Sequence, residues 1–159
     1  MMKEYLLKLY DYNTWANTRV LSALIEQQCS DAKTLTLFSH IMAAQLLWLH
    51  RVQGWPPPEV ELWKQYSVDE LSIMHAKGSE GWKQYLNHAG ENDFFRHLNY
   101  TNYTGQPFEN RIFEILIHTV NHATYHRGQI ALRMREQGYE PINTDFITYE
   151  RIITGQLKP

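Results

Sequence analysis

The sequence predicts an all-α protein, a four-helix bundle with a small β-hairpin before the last long helix and a short C-terminal helix. Three observations carry that expectation. Four long segments repeat apolar residues every three or four positions, the spacing that places them on one face of an α-helix. One stretch, between Asp93 and Asn110, breaks the pattern into short aromatic-rich runs. Chain breakers such as Pro56, Pro57, Pro58, Gly138 and Pro141 fall where segments end.

The first segment runs from Lys3 to Gln28, where Leu6, Leu9, Tyr12, Ala16, Val20 and Leu24 recur without a proline or glycine. Cys29, Ser30 and Asp31 read as its stop. A second helix, from about Thr34 to Gly54, carries Leu37, Phe38, Ile41, Met42, Leu46, Leu49 and Val52, and the proline run after Trp55 ends it. Ser67 and Glu70 have the spacing of a capping box, which opens a third helix through Leu71, Met74, Trp82 and Leu86 to about Gly90. Gly78 and Gly81 weaken that helix by roughly 1 kcal/mol each. Two runs, FFRHLNYTNY and PFENRI, flank Thr104, Gly105 and Gln106 and fit a hairpin. The fourth helix starts near Asn110 and extends to Gly138, a glycine placed to take the left-handed conformation that closes a helix. Thr144 or Asp145 can cap a short fifth helix bearing Phe146, Ile147, Tyr149, Ile152 and Ile153.

At 159 residues the chain is expected to form one domain, residues 1–159. That length buries enough surface to fold without a metal or a disulfide. The 15 Lys and Arg are scattered among 17 Asp and Glu, so no basic footprint invites a nucleic acid. No run approaches the ~18 apolar residues of a membrane span, and the N-terminal residues MMKEYLLKLYDYN lack the apolar core of a signal peptide. With one cysteine, Cys29, the expected compartment is the cytoplasm. Cys29 reads as a small apolar packing residue.

Eight histidines stand out. His118, His122 and His126 are four apart in HTVNHATYHRGQ, so consecutive imidazoles share a helix face with Cβ atoms ~5 to 6 Å apart. Two of them can meet one ion; the outer pair diverges, because each step of four turns the side chain by ~40°. His122 and His126 continue the inward series Ile115, Thr119, His122, His126, Ile130, and His118 lies at its edge. An isolated inward histidine is ordinarily a hydrogen-bonded core residue. Two inward imidazoles need both a donor and an acceptor partner each, and a shared metal meets half of that demand. The glutamate of HExxH hydrolases is missing here, which disfavours a zincin-type protease. A third ligand must come from another helix, where His40 lies in register with Leu37 and Ile41 while His50 sits beside Arg51 near the helix end. His40 is the better candidate. Three imidazoles without a cysteine leave coordination positions open, the stoichiometry of catalytic sites.

The segment NHATYHRGQIALRMREQGYEPINTDFITY resembles the carboxy-terminal signature of the DinB/YfiT-like family of metal-dependent bundle proteins, the damage-inducible DinB family. SHIMAAQLLWLHRVQG is similar to its second-helix motif, and the resemblance covers essentially the whole chain. It maps the family's metal ligands onto His40, His122 and His126, with Zn or Ni as the divalent ion expected for imidazole ligands. Two positions depart from the pattern: Tyr125 stands where relatives often have a histidine, and Gln45 where an acid is common. Relatives include S-transferases and an isomerase that use low-molecular-weight thiols such as bacillithiol, mycothiol or glutathione. The resemblance therefore implies a small-molecule substrate of that kind, with a metal ion favouring the thiolate. It also supplies most of the warrant for a homodimer, to which the aromatic richness adds a little. A metal-dependent hydrolase, or a non-enzymatic metal-binding and stress-response protein, are the alternatives. Arg127 and Gln129 read as a structural pairing outside the inward stripe, or secondarily as substrate contacts. Tyr12, Tyr125 and Tyr149 are open as proton donors near the ion. Trp15 and Trp48 read as core or dimer contacts, and His75, His88 and His97 as surface or packing residues.

Overall fold

The structure, a computed structural model describing residues 1–158, is the expected helical bundle. Its elements are α1 (Met2–Glu26), α2 (Ala32–Gln53), α3 (Val68–His88), β1 (His97–Thr101), β2 (Pro107–Arg111), α4 (Ile112–Glu136) and α5 (Phe146–Ile153). A 3-10 turn, Glu91–Phe95, precedes the hairpin. The closest helix pairs are α2 with α4 and α3, and α1 with α3 and α4, so the ring around the core runs α1, α3, α2, α4. α2 and α4 are therefore neighbours, although α3 and the hairpin lie between them in the sequence.

Helix ends follow local chemistry. The capping box is present, with the Glu70 amide donating to Ser67 Oγ and the Ser67 amide donating to Glu70 Oε2. Gly138 takes the left-handed conformation at φ +78°, as its position predicts. The segment Cys29 to Asp31 is more than a stop. α2 begins at Ala32, two residues before the expected Thr34, because Asp31 caps it by accepting from the Thr34 amide at 2.9 Å; the same carboxylate accepts from Arg133 Nε and Nη2 at 3.0 and 2.8 Å. α4 begins two residues later than Asn110, because Asn110 and Arg111 are paired with Leu98 and His97 in the hairpin. Cys29 is buried, as expected of a packing residue. Gly81 earns its place by proximity: a Cβ there would collide with Leu49 of α2.

Arg127 departs from its expected position outside the inward stripe. It is 2% exposed, and its guanidinium donates to Asn13 Oδ1, Asn17 Oδ1, the Tyr12 hydroxyl and Thr124 Oγ1 at 2.8 to 3.2 Å. Its role is structural, but it lies inside the bundle, where four oxygens replace the water a buried cation gives up. The three α1 partners tie that helix to α4. No described helix is long and apolar enough to cross a membrane.

Candidate metal centre

α2 and α4 bring His40, His122 and His126 together. The Nε2 atoms of His40 and His122 are 3.0 Å apart, and those of His126 and His122 are 3.1 Å apart. His40 and His126 are buried and His122 is half-buried. The spacing arguments for two turns of α4 and for His40 of α2 describe this cluster. His118 stays at the exposed edge, its ring 5.5 Å from His122 and 5.6 Å from Trp48. His50 faces away, its Nδ1 2.6 Å from the Pro56 carbonyl and its ring against Trp55.

The hydrogen bonds fix what each nitrogen offers. His40 Nδ1 is 2.8 Å from the Leu62 carbonyl and His126 Nδ1 is 2.7 Å from Gln129 Oε1. Both partners are acceptors, so each Nδ1 carries the proton and each Nε2 presents a lone pair. His122 Nε2 then confronts two bare nitrogens, and a single N–H can satisfy only one of them. A cation satisfies all three lone pairs at once. Two nitrogens bound to one ion at ~2.0 to 2.1 Å stand ~3.0 to 3.4 Å apart, which matches the observed separations. Burial, helped by the neighbouring imidazoles of His126, His40 and His118, drives the His122 pKa down to about 3, and burial lowers that of His40 as well. The neutral ring is the ligating form. The donor set fits a metal ion: the three histidines could hold one.

Several participants escape a sequence reading. Trp63 lies in the loop between α2 and α3 and stacks on His40, ring centroids 3.7 Å apart and planes 7° from parallel. A loop has no periodicity to betray such a contact. Gln129 orients His126, which corrects its expected pairing with Arg127. The signal was there, since residues three apart on a helix are neighbours. Of the three tyrosines, Tyr125 stands beside the cluster, its ring 5.1 Å from His126. Tyr12 and Tyr149 belong instead to an aromatic group with Trp15 and Phe146, and Tyr12 donates to the Thr144 carbonyl. Gln45 is buried beside Gly78 of α3. Trp48 is half-buried and lines a cleft of about 870 Å³ that begins at His40 and His122.

A helical bundle with three convergent imidazoles between two of its helices defines a class of protein whose core is built to accommodate a ligand or an ion. The sequence profile of the DinB family matches residues 1–156, and the chain belongs to that family. Protein DinB of Bacillus subtilis (strain 168) is similar to it, 26% identical over 165 residues that span 93% of this chain and 95% of that protein.

Proposed function

We propose that this protein is a metal-dependent enzyme that transfers a low-molecular-weight thiol to an electrophile, with His40, His122 and His126 as the ligands of one divalent ion, zinc or nickel. The observation that carries the reading is the convergence of three Nε2 atoms at the mouth of a cleft, with two of the rings locked in the ligating tautomer. When bound, a divalent ion supplies positive charge that keeps a thiol in its nucleophilic thiolate form at neutral pH.

The protein's own residues prepare that chemistry. The Leu62 carbonyl and Gln129 fix the orientation of His40 and His126, and burial keeps His122 neutral. Trp63 covers one face of His40 and limits the approach of water from that side. In the proposed transfer, a sulfur–carbon bond forms, the leaving group departs with its bonding pair, and the thiol proton passes to solvent. Among the described residues that line the cleft there is no aspartate or glutamate. That favours thiol transfer over a hydrolase, which would profit from a carboxylate to take a proton from water.

The test is an assay of purified protein loaded with zinc or nickel against thiols paired with alkyl halides or epoxides. Thiol consumption above background that disappears in His122→Ala is expected. A loaded protein that consumes no thiol but hydrolyses esters would replace this reading with the hydrolase.

A further inference from the structure

The cleft extends well beyond the histidines. It follows α2 from His40 past Ala44 and Trp48 to Arg51, with the hairpin and the proline segment as its other walls. At 1.5 Å per residue, the path from position 40 to position 51 covers about 16 Å. Its chemistry changes along the way. The middle is apolar, built from residues such as Ala44, Leu47 and Val60, and the far end carries a cation.

That cation, Arg51, is held on an aromatic shelf. Its guanidinium lies 4.6 Å from the Trp48 ring centroid and 5.0 Å from that of Tyr100, and Nη2 donates to the Thr101 carbonyl at 2.7 Å. The two rings, 79° from parallel to each other, attract the cation through their π faces and take none of its in-plane hydrogen bonds, so the N–H groups beyond the one given to Thr101 are left for a ligand. Among the described residues Arg51 takes part in no ion pair, and no acid lines the cleft. A strap between α2 and β1 would need only the bond to Thr101. The two rings and the lack of an acidic neighbour do more: they preorganise a planar, charged donor set without neutralising it.

We propose that the cleft binds an elongated small molecule, on the order of 10 to 15 Å long, whose carboxylate is held by Arg51 while its other end reaches the histidine cluster. The part of the proposal concerning the second end rests on the metal-site reading above. Arg51 sets specificity by recognising the anionic end.

Titration calorimetry separates the two readings. On metal-free protein the probes are 4-phenylbutanoate and 4-phenylbutan-1-ol; on zinc-loaded protein they are 6-mercaptohexanoate and 6-mercaptohexan-1-ol. In both pairs the acid is expected to bind about tenfold tighter than the alcohol, the scale of a charge-assisted hydrogen bond. Arg51→Gln should abolish the preference and leave zinc content unchanged. Arg51→Lys, which keeps the charge and loses the fork, should retain part of it. Equal affinity for acid and alcohol in the unaltered protein overturns the proposal, as does a preference that survives Arg51→Gln. If the protein takes up no zinc while the phenylbutanoate preference stands and depends on Arg51, the anion site holds and the metal reading fails.

Discussion

Trp63 and His40 form a parallel stack across the gap between a loop and a helix, with 3.7 Å between ring centroids, although Trp63 is itself 57% exposed. An exposed tryptophan held against a buried imidazole reports on that imidazole and shields it. The same loop orients the ring, because Leu62, one residue earlier, accepts from His40 Nδ1.

Trp63→Ala should therefore loosen the ion more than it loosens the fold. A stacked aromatic pair is worth ~0.5 to 1.5 kcal/mol, so zinc release to a chelator should quicken by roughly two- to tenfold. The tryptophan fluorescence change on zinc addition should shrink in the same variant. Release rates and fluorescence identical to those of the unaltered protein would show that the stack does not bear on the site.

His122 is the shared neighbour of the other two histidines of the cluster, so its loss should be the most damaging. Elemental analysis of His122→Ala and His126→Ala should find most of the metal gone, whereas His75→Ala and His97→Ala should retain it. His75 bonds Thr18 and His97 bonds Glu109, both away from the cluster. Melting curves of all four should show a retained fold, because the apolar core does not depend on the ion. Full metal content after His122→Ala would remove the site from consideration.

Gln129 acts through His126. Replacing it by alanine frees the Nδ1 proton and lets the ring rotate, and loss of such orienting partners typically weakens metal binding by ~10 to 100-fold. Gln129→Glu keeps an acceptor and should restore affinity. Competition with a chromogenic chelator measures all three proteins, and equal affinities would show that the bond is incidental.

Asp31 offers a pH-dependent prediction outside the site. The Arg133 guanidinium, with help from Thr34, holds its carboxyl at about 2, below the ~3.9 of an unfolded chain. A carboxyl whose folded pKa is depressed binds fewer protons in the native state, so its contribution is complete above pH ~4 and lost as pH falls toward 2. Asp31→Asn keeps a capping oxygen but removes the charge that Arg133 grips at two points, and should cost about 1 kcal/mol at neutral pH, the scale of a well-formed ion pair. Thermal melts of both proteins from pH 8 to 2.5 should show a constant gap that narrows below pH ~4. A gap of constant size down to pH 2.5 would contradict the pairing.

Much of the bundle was legible because it is written in local chemistry. The 3.6-residue period marks α1 through α4, a serine and glutamate three apart mark the start of α3, and Gly138 marks the end of α4. His122 and His126 were legible for the same reason, since four residues along a helix is a distance the helix itself sets. The family signature in NHATYHRGQ agrees with the matched profile.

What the tertiary structure decided are the relations that no local period encodes. His40 meets His122 across 82 positions of sequence because α2 and α4 are neighbours in the bundle, and His50, on the same helix, is turned toward the proline segment. By its register on α4, Arg127 is expected outside the inward stripe. It lies inside because Asn13 and Asn17 of α1, with Tyr12 and Thr124, supply the oxygens that replace that water. Such a set of partners exists only once two helices have packed, since the free energy of burying a charge depends on every group around it and not on its neighbours along the chain.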